Sequence, residues 1–330
     1  MKPNSTRRWQ QQLTDAFKSI SDLYTYLELE QNTPFSKTAQ LNFPLRVPQS
    51  FAERMEKGNP NDPLLKQVLP LIQETQTVAG FGLDPVGDLN AMVETGVIHK
   101  YQGRALFINT GSCAIHCRYC FRRNFPYTDF QLGNQKQRQA VAYLQQHTDI
   151  HEVILSGGDP LLLADDKLAK LIQQLNTIPH LKRIRIHSRL PIVLPDRITD
   201  ELMNALVQTN KDIIMVIHCN HTNELNLDVK RACEKMRDAH IMLLNQSVLL
   251  KGINDEVAQL GQLSEKLVSF GVMPYYLHLL DKAAGTAHFE VSKARAILLM
   301  RELQAHLSGY LIPKLVQEEA GERAKTQIDY

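Results

Sequence analysis

Apolar and polar positions along this chain change rhythm near residue 104. Before it, apolar residues recur at spacings of three and four. The stretch "RRWQQQLTDAFKSISDLYTYLEL" puts Trp9, Leu13, Phe17, Ile20, Leu23, Tyr24 and Leu27 on one face, which predicts an amphipathic helix. The Pro- and Gly-bounded stretch "LRVPQSFAERMEKGNPNDPLLKQVLP" predicts short helices in a connecting layer. Residues 1–100 therefore read as a helical extension.

Beyond it, short apolar or alternating runs are each followed by a helical pattern. The runs are "RALFINT" (104–110), "HEVILSG" (151–157), "KRIRIHS" (182–188), "DIIMVIH" (212–218), "IMLLNQS" (241–247) and "VMPYYLHL" (272–279). The helical patterns lie near 134–147, 165–176, 199–209, 223–239, 255–270 and 292–308. About six strand–helix units predict an α/β fold with a parallel sheet covered by helices. Polar residues fall where the strands end: Asn109, Ser156, His187, Ser188, His218, Gln246 and His278. Barrel enzymes draw their sites from many strand ends, whereas a doubly wound sheet concentrates them at one switch point. The expected architecture is a partial, TIM-like (β/α)6 barrel over 101–312, followed by a C-terminal segment, 313–330.

Composition narrows the chemistry. With 43% hydrophobic and 22% charged residues, the 330-residue chain can bury a sizeable core. A net charge of +2 without like-charge runs gives no grip on nucleic acid or a membrane surface. The start, "MKPNSTRRWQQQLTDAF", lacks the apolar stretch of a signal peptide, and no window approaches a membrane span. Of five cysteines three are clustered, and Cys219 and Cys233 read as small buried hydrophobes. This pattern points to a reducing, cytoplasmic setting with thiolates used for metal.

The cluster is "GSCAIHCRYCFRRNF", with Cys113, Cys117 and Cys120 spaced C-x3-C-x2-C. One reading is a structural zinc site with His116 as fourth ligand. Structural zinc usually pairs two separated knuckles. Three thiolates on one loop after the first strand suit a four-iron cluster with one iron open to chemistry. One strand later, "ILSGGDP" ends in Gly157, Gly158 and Asp159. Glycines let backbone approach a ligand closely, and an adjacent acid can hold an ammonium; an ordinary strand-to-helix turn reads the same way.

The cysteine spacing after the first strand of such a series resembles the radical S-adenosylmethionine (SAM) enzymes. There SAM's amino and carboxylate groups occupy the fourth iron of a [4Fe–4S] cluster. The resemblance implies that Gly157, Gly158 and Asp159 contact SAM. It goes further: "CRYCFRRNF", "HSRLPIVLPDRIT", "NQSVLLKGIND", "MPYYLHLLD" and "GYLIPKLVQEEAGERAKT" stand in the order found in the lysine 2,3-aminomutase family. That family also uses pyridoxal 5′-phosphate (PLP), and the chemistry needs an amine that can join its aldehyde.

The resemblance implies residue roles. Lys325 would hold PLP. Tyr101 would pack on its ring, Arg104 would bind its phosphate, and Ser188 and Gln246 would be further PLP contacts. Arg122 would hold the substrate carboxylate. Asp281 and Glu318 would hold the distal ammonium of L-lysine, with Glu318 where typical members have Asp. His278 reads either as a site residue or as a satisfied strand-end histidine. The chain ends at Tyr330 without the further cysteines of longer members. Together these features resemble the branch that makes (R)-β-lysine for elongation factor P, where a separate ligase attaches the product. A related aminomutase acting on glutamate, a radical SAM enzyme without PLP, and a zinc-stabilised scaffold are the alternatives. The N-terminal layer is expected to cover one barrel end or to make contacts in a homo-oligomer.

Overall fold

The computed structural model describes residues 5–30, 32–130 and 133–330. Among these described residues ten strands lie in one sheet in chain order. They are β1 (Met92–Glu94), β2 (Val97–Tyr101), β3 (Arg104–Thr110), β4 (Glu152–Gly157), β5 (Arg183–Ser188), β6 (Asp212–Ile217), β7 (Met242–Val248), β8 (Met273–His278), β9 (Lys314–Gln317) and β10 (Thr326–Gln327). Strands β3 to β9 run parallel. The main crossover helices are Asn134–Gln146, Asp165–Asn176, Asp200–Val207, Leu227–Asp238, Val257–Ser269 and Lys293–His306. The result is six strand–helix units of an open barrel. The six predicted runs fall on β3 to β8 to within one residue at each end.

The sequence pattern explains the elements. In β5, Ile184 and Ile186 are buried in the main core, while Arg185 and His187 line a cavity, as a period of two requires. In the helix Asp165–Asn176, Leu168, Leu171, Ile172 and Leu175 form one buried stripe. Its first turn carries Asp165 and Asp166, the favoured sign at a helix start.

The extension departs from its predicted form. The long first helix is two, Ser5–Thr14 and Ile20–Tyr26. Phe17 donates its N–H to the Val47 carbonyl at 2.8 Å and accepts from the Val47 N–H at 3.0 Å, while Ser19 caps the second helix. Pairing with a distant segment wins over local periodicity, and the apolar face is still buried through Trp9, Ile20, Leu23, Tyr24 and Leu27. The extension is also not purely helical. Strands β1 and β2 form a hairpin that continues the sheet antiparallel beyond β3. The two-residue turn Gln102–Gly103 needs the positive φ of Gly103, +79°, and sets Tyr101 opposite Arg104. At the other edge, β9 extends the parallel sheet and β10 folds back on it, so the C-terminal segment belongs to the same sheet.

The extension is tied to the cysteine loop by buried charge. Glu74 pairs with Arg118 at 2.5 Å and with Arg123 at 2.7 Å, all nearly inaccessible to solvent. Arg118 also donates to the carbonyls of Ala39 and Phe43. Removing one partner of such a pair leaves charge stranded away from water. Glu74→Ala is expected to cost about 3–5 kcal/mol, read as a lower urea midpoint, and Glu74→Gln to cost less. An unchanged midpoint in Glu74→Ala would show that the pair does not hold the loop.

Candidate active site

The cysteine loop follows β3 and is pinned by backbone contacts. Arg118 donates its N–H to the Gln67 carbonyl at 2.8 Å, and His116 donates its N–H to the Arg46 carbonyl at 3.0 Å. Arg189, just past β5, bridges from below: its guanidinium donates to Cys117 Sγ, the Tyr119 hydroxyl, Gln67 Oε1 and the Glu224 carboxylate. His116 is turned away from the thiols. Its Nδ1 lies 2.7 Å from the Pro44 carbonyl and its ring stacks on Phe43. Among the described residues no three His, Cys, Asp or Glu side chains are gathered closely enough to hold a single ion. His116 therefore does not stand with the three thiols as the zinc alternative expected. Three separate thiols on one loop fit a cubic cluster that takes one thiolate per iron. Burial pushes the Cys113 thiol well up and the Cys120 thiol up to about 11. Loading iron must displace those protons.

The end of β4 is laid directly on this loop. Gly158 donates its N–H to the Thr110 carbonyl at 2.7 Å, and Asp159 donates its N–H to the Ser112 carbonyl at 2.8 Å. A Cβ on Gly157, at φ +113°, would lie 2.5 Å from the Thr110 carbonyl oxygen. One on Gly158 would lie 2.2 Å from the Ser112 oxygen. The glycines are thus required by the crossing of two backbones.

Asp159 and Ser188, expected to meet SAM and PLP, are brought together, and their polar atoms face each other. The Ser188 hydroxyl donates to the Asp159 carboxylate at 2.8 Å, which also accepts from the N–H groups of Leu161, Arg189 and Leu190. Burial still raises Asp159 to about 6 against these donors. This pair joins the ends of β4 and β5.

Apart from His116, every site residue singled out in the sequence lines one cavity of about 430 Å³ at the C-terminal ends of the parallel strands. Of the strand-end polar residues, Asn109 alone lines a different cavity. The cavity wall carries Tyr101 and Arg104, with the guanidinium 4.4 Å from the Tyr101 ring centre. Among the described residues Arg104 pairs with no carboxylate, and Gln246 Oε1 is buried without a partner. An aromatic face, an arginine without a carboxylate partner, an open polar atom and a lysine in one cavity fit a planar phosphate-bearing cofactor.

Lys325 Nζ lies 2.9 Å from Glu318 Oε2 and 3.5 Å from His278 Nε2. The sequence keeps the pair together because Glu318 follows β9 and Lys325 precedes β10, across a turn with Gly321 at φ +89°. Burial and Lys325 hold His278 well below its ordinary pKa, so its imidazole is neutral. His187 is likewise neutral, and burial brings His218 down to about 3. Both carry a buried Nε2 without a partner at the cavity wall.

Asp88 and Lys100 escaped sequence reasoning. Arg122 donates from Nε to Asp88 at 2.7 Å and from a terminal nitrogen to the Ser156 hydroxyl at 3.2 Å. Lys100 lies 2.6 Å from Asp88 and 3.0 Å from Glu318. Burial opposes the Glu318 charge, but Lys325 and Lys100 outweigh it and bring its pKa to about 2. Asp281 moves the other way: burial, reinforced by Glu318, lifts it to about 7. The only signals in the sequence were an acid in "DPVGD" and a lysine beside Tyr101, and neither spacing says that they meet.

A family model, the Radical SAM superfamily, matches residues 108–263. The chain is similar to the L-lysine 2,3-aminomutase of Escherichia coli, 46% identical over 327 residues, which spans 98% of this chain and 95% of that protein. It is similar to that of Haemophilus influenzae, 48% identical over 325 residues, spanning 97% and 96%. It is also similar to the longer L-lysine 2,3-aminomutase of Clostridium subterminale, 34% identical over 323 residues, spanning 97% and 77%.

Forcing the crossing apart gives a direct test. Gly158→Ala is expected to lower stability by about 1–3 kcal/mol and to reduce iron and sulfide bound per chain after anaerobic reconstitution. Full loading with an unchanged melting temperature would show that the two backbones are not held this close.

Proposed function

Because this chain belongs to the L-lysine 2,3-aminomutase family, we propose that it moves the α-amino group of L-lysine to the β-carbon and releases (R)-β-lysine. The observation that carries this is the convergence, in one cavity, of a three-thiol loop, a lysine, an arginine stacked on an aromatic ring, and charges suited to both ends of a diamino acid. Membership of the radical SAM superfamily implies a [4Fe–4S] cluster and SAM; PLP is part of the proposal. When bound, cluster and SAM supply a radical that takes and later returns a hydrogen at the β-carbon, and PLP carries the migrating nitrogen and spreads the unpaired electron.

The chain's residues do the rest. Cys113, Cys117 and Cys120 would each hold one iron of the cluster. The backbone at Gly157 and Gly158 shapes the adjoining SAM wall. Lys325 would hold PLP at rest, Tyr101 would offer its ring face, and Arg104 and Gln246 would receive its polar groups. To act as a nucleophile, Lys325 must shed a proton; its polar neighbours are Glu318, 2.9 Å away, and the neutral Nε2 of His278, 3.5 Å away. Arg122 binds the α-carboxylate; burial works against its charge, and Asp88, Tyr127 and Glu318 together more than offset that. Glu318 and Asp281 hold the distal ammonium, which disfavours glutamate because its side-chain carboxylate would meet two acids.

We assign the product to the β-lysine ligase that modifies elongation factor P, which rests on the resemblance alone.

The test is an anaerobic assay of reconstituted protein with PLP, SAM, a strong reductant and L-lysine, with chiral separation of products. (R)-β-lysine is expected, and Lys325→Ala should abolish it while retaining iron; full activity in that variant would remove PLP from the scheme. Added ligase and elongation factor P should then carry the product onto the factor. SAM cleavage without β-lysine would leave the superfamily and refute the substrate.

A pH dependence follows from Asp281. Being half protonated near pH 7, it must lose its proton to pair with an ammonium. Lysine affinity is expected to rise as pH goes from about 6 to 8, by up to about tenfold per unit below the pKa, and Asp281→Asn should flatten that rise. An equal rise in the variant would show that another group titrates.

A further inference from the structure

Lys100 belongs to no role assigned above, yet its ammonium is fully engaged. Its three N–H donors meet three acceptors: Asp88 Oδ1 at 2.6 Å, Glu318 Oε1 at 3.0 Å and the Val86 carbonyl at 2.7 Å. It has no donor left for a ligand. Each carboxylate it touches divides its oxygens in the same way. Asp88 gives Oδ1 to Lys100 and Oδ2 to Arg122, 2.7 Å away. Glu318 gives Oε1 to Lys100 and Oε2 to Lys325, 2.9 Å away. The outcome is an unbroken chain of alternating charge, Arg122–Asp88–Lys100–Glu318–Lys325. No side chain in it is more than 20% exposed.

The chain crosses four pieces of the fold. Arg122 stands on the cysteine loop, Asp88 precedes β1, Lys100 is on β2, and Glu318 and Lys325 flank the turn between β9 and β10. The cysteine loop and the C-terminal hairpin are distant in sequence, and the Asp88–Lys100 pair ties their two functional ends together. Both acids resist protonation at neutral pH, since their cations outweigh the cost of burial.

We propose that Lys100 is a specificity-determining residue: as a strut between Asp88 and Glu318, it fixes the separation between the arginine that takes the α-carboxylate and the acid that takes the distal ammonium. Lys100 thereby selects diamino acids by length. The proposal rests on the assignment of Arg122 and Glu318 to the two ends of the substrate. L-Ornithine, one methylene shorter, would place its ammonium about 1.5 Å short of Glu318. One methylene is commonly worth about 10–200-fold in discrimination when the contact is rigid. With the strut removed, Glu318 can follow the shorter ligand, and discrimination falls. Asp88 acts in the same scheme as a positioning residue, through Arg122 and Lys100.

Equilibrium dialysis of L-lysine and L-ornithine against iron- and PLP-loaded protein without SAM reads the preference apart from turnover. The unaltered protein is expected to prefer lysine by about tenfold or more. Lys100→Met should reduce that preference to within about threefold, a change smaller than one methylene's usual discrimination, with iron and PLP content retained. In turnover the same variant should lose kcat/KM for lysine chiefly through KM, while ornithine is little affected. Should Lys100→Met fail to fold, Asp88→Asn, which keeps shape and removes charge, is expected to shrink the preference in the same direction. An undiminished lysine preference in the folded, loaded variant overturns the strut, and so does an unaltered protein that binds both amino acids equally. A protein that prefers lysine by binding but makes no β-lysine refutes the reaction alone.

Discussion

Buried charge answered by buried charge is the constraint on which this structure depends. A parallel sheet delivers side chains from many strand ends to one face, and here that face is closed over by the N-terminal extension. Ionised groups in such a place lose their hydration and must find partners of opposite sign. Three groupings meet that demand. Glu74 holds Arg118 and Arg123 under the cysteine loop. Glu224 holds Arg189, which reaches Cys117, and its backbone carbonyl accepts from Arg54 of the extension. Asp88 and Glu318 share Lys100 across the cavity. Each joins elements distant in sequence, so the same contacts that make burial tolerable also fix where the functional groups stand.

The extension is therefore part of the working site. Gln67 illustrates how. Its backbone carbonyl accepts from Arg118, and its side chain reaches Arg189, Glu224 and Asn220. One buried amide thereby links the cysteine loop to the strand ends of the barrel. A loop that must keep three thiols in place cannot depend on its own short segment for rigidity. It takes that rigidity from the layer packed behind it.

Environment also sorts chemically equal groups into different roles. Glu318 and Asp281 are both carboxylic acids in one cavity. Two cations hold the first permanently ionised, while burial beside that fixed negative charge leaves the second protonated or not according to pH. The histidines at the strand ends are kept neutral by burial, which leaves the cationic positions to the arginines and lysines of the cavity wall.

Much of this was legible in the sequence because its signals are local. Periods of two and of three to four marked β3 to β8 and the helices between them. The cysteine spacing, the two glycines after β4, and the ordered motifs ending at Lys325 named residues that fold into one cavity. What the sequence could not show depends on partners far along the chain. Phe17 has helical spacing but pairs with Val47. Residues 92–101 become an edge hairpin only because β3 is there to receive them. Asp159 and Ser188 each carry a polar atom suited to a ligand, and only the folded chain shows those atoms turned on each other. Asp88 and Lys100 sit in unremarkable local patterns; their meaning arises when a loop, a hairpin and the C-terminal turn meet out of water. Periodicity and spacing determine which element forms and which way it faces, because those follow from backbone geometry. Which buried charge answers which is decided by tertiary structure, because electrostatic pairing depends on distance in space and not along the chain.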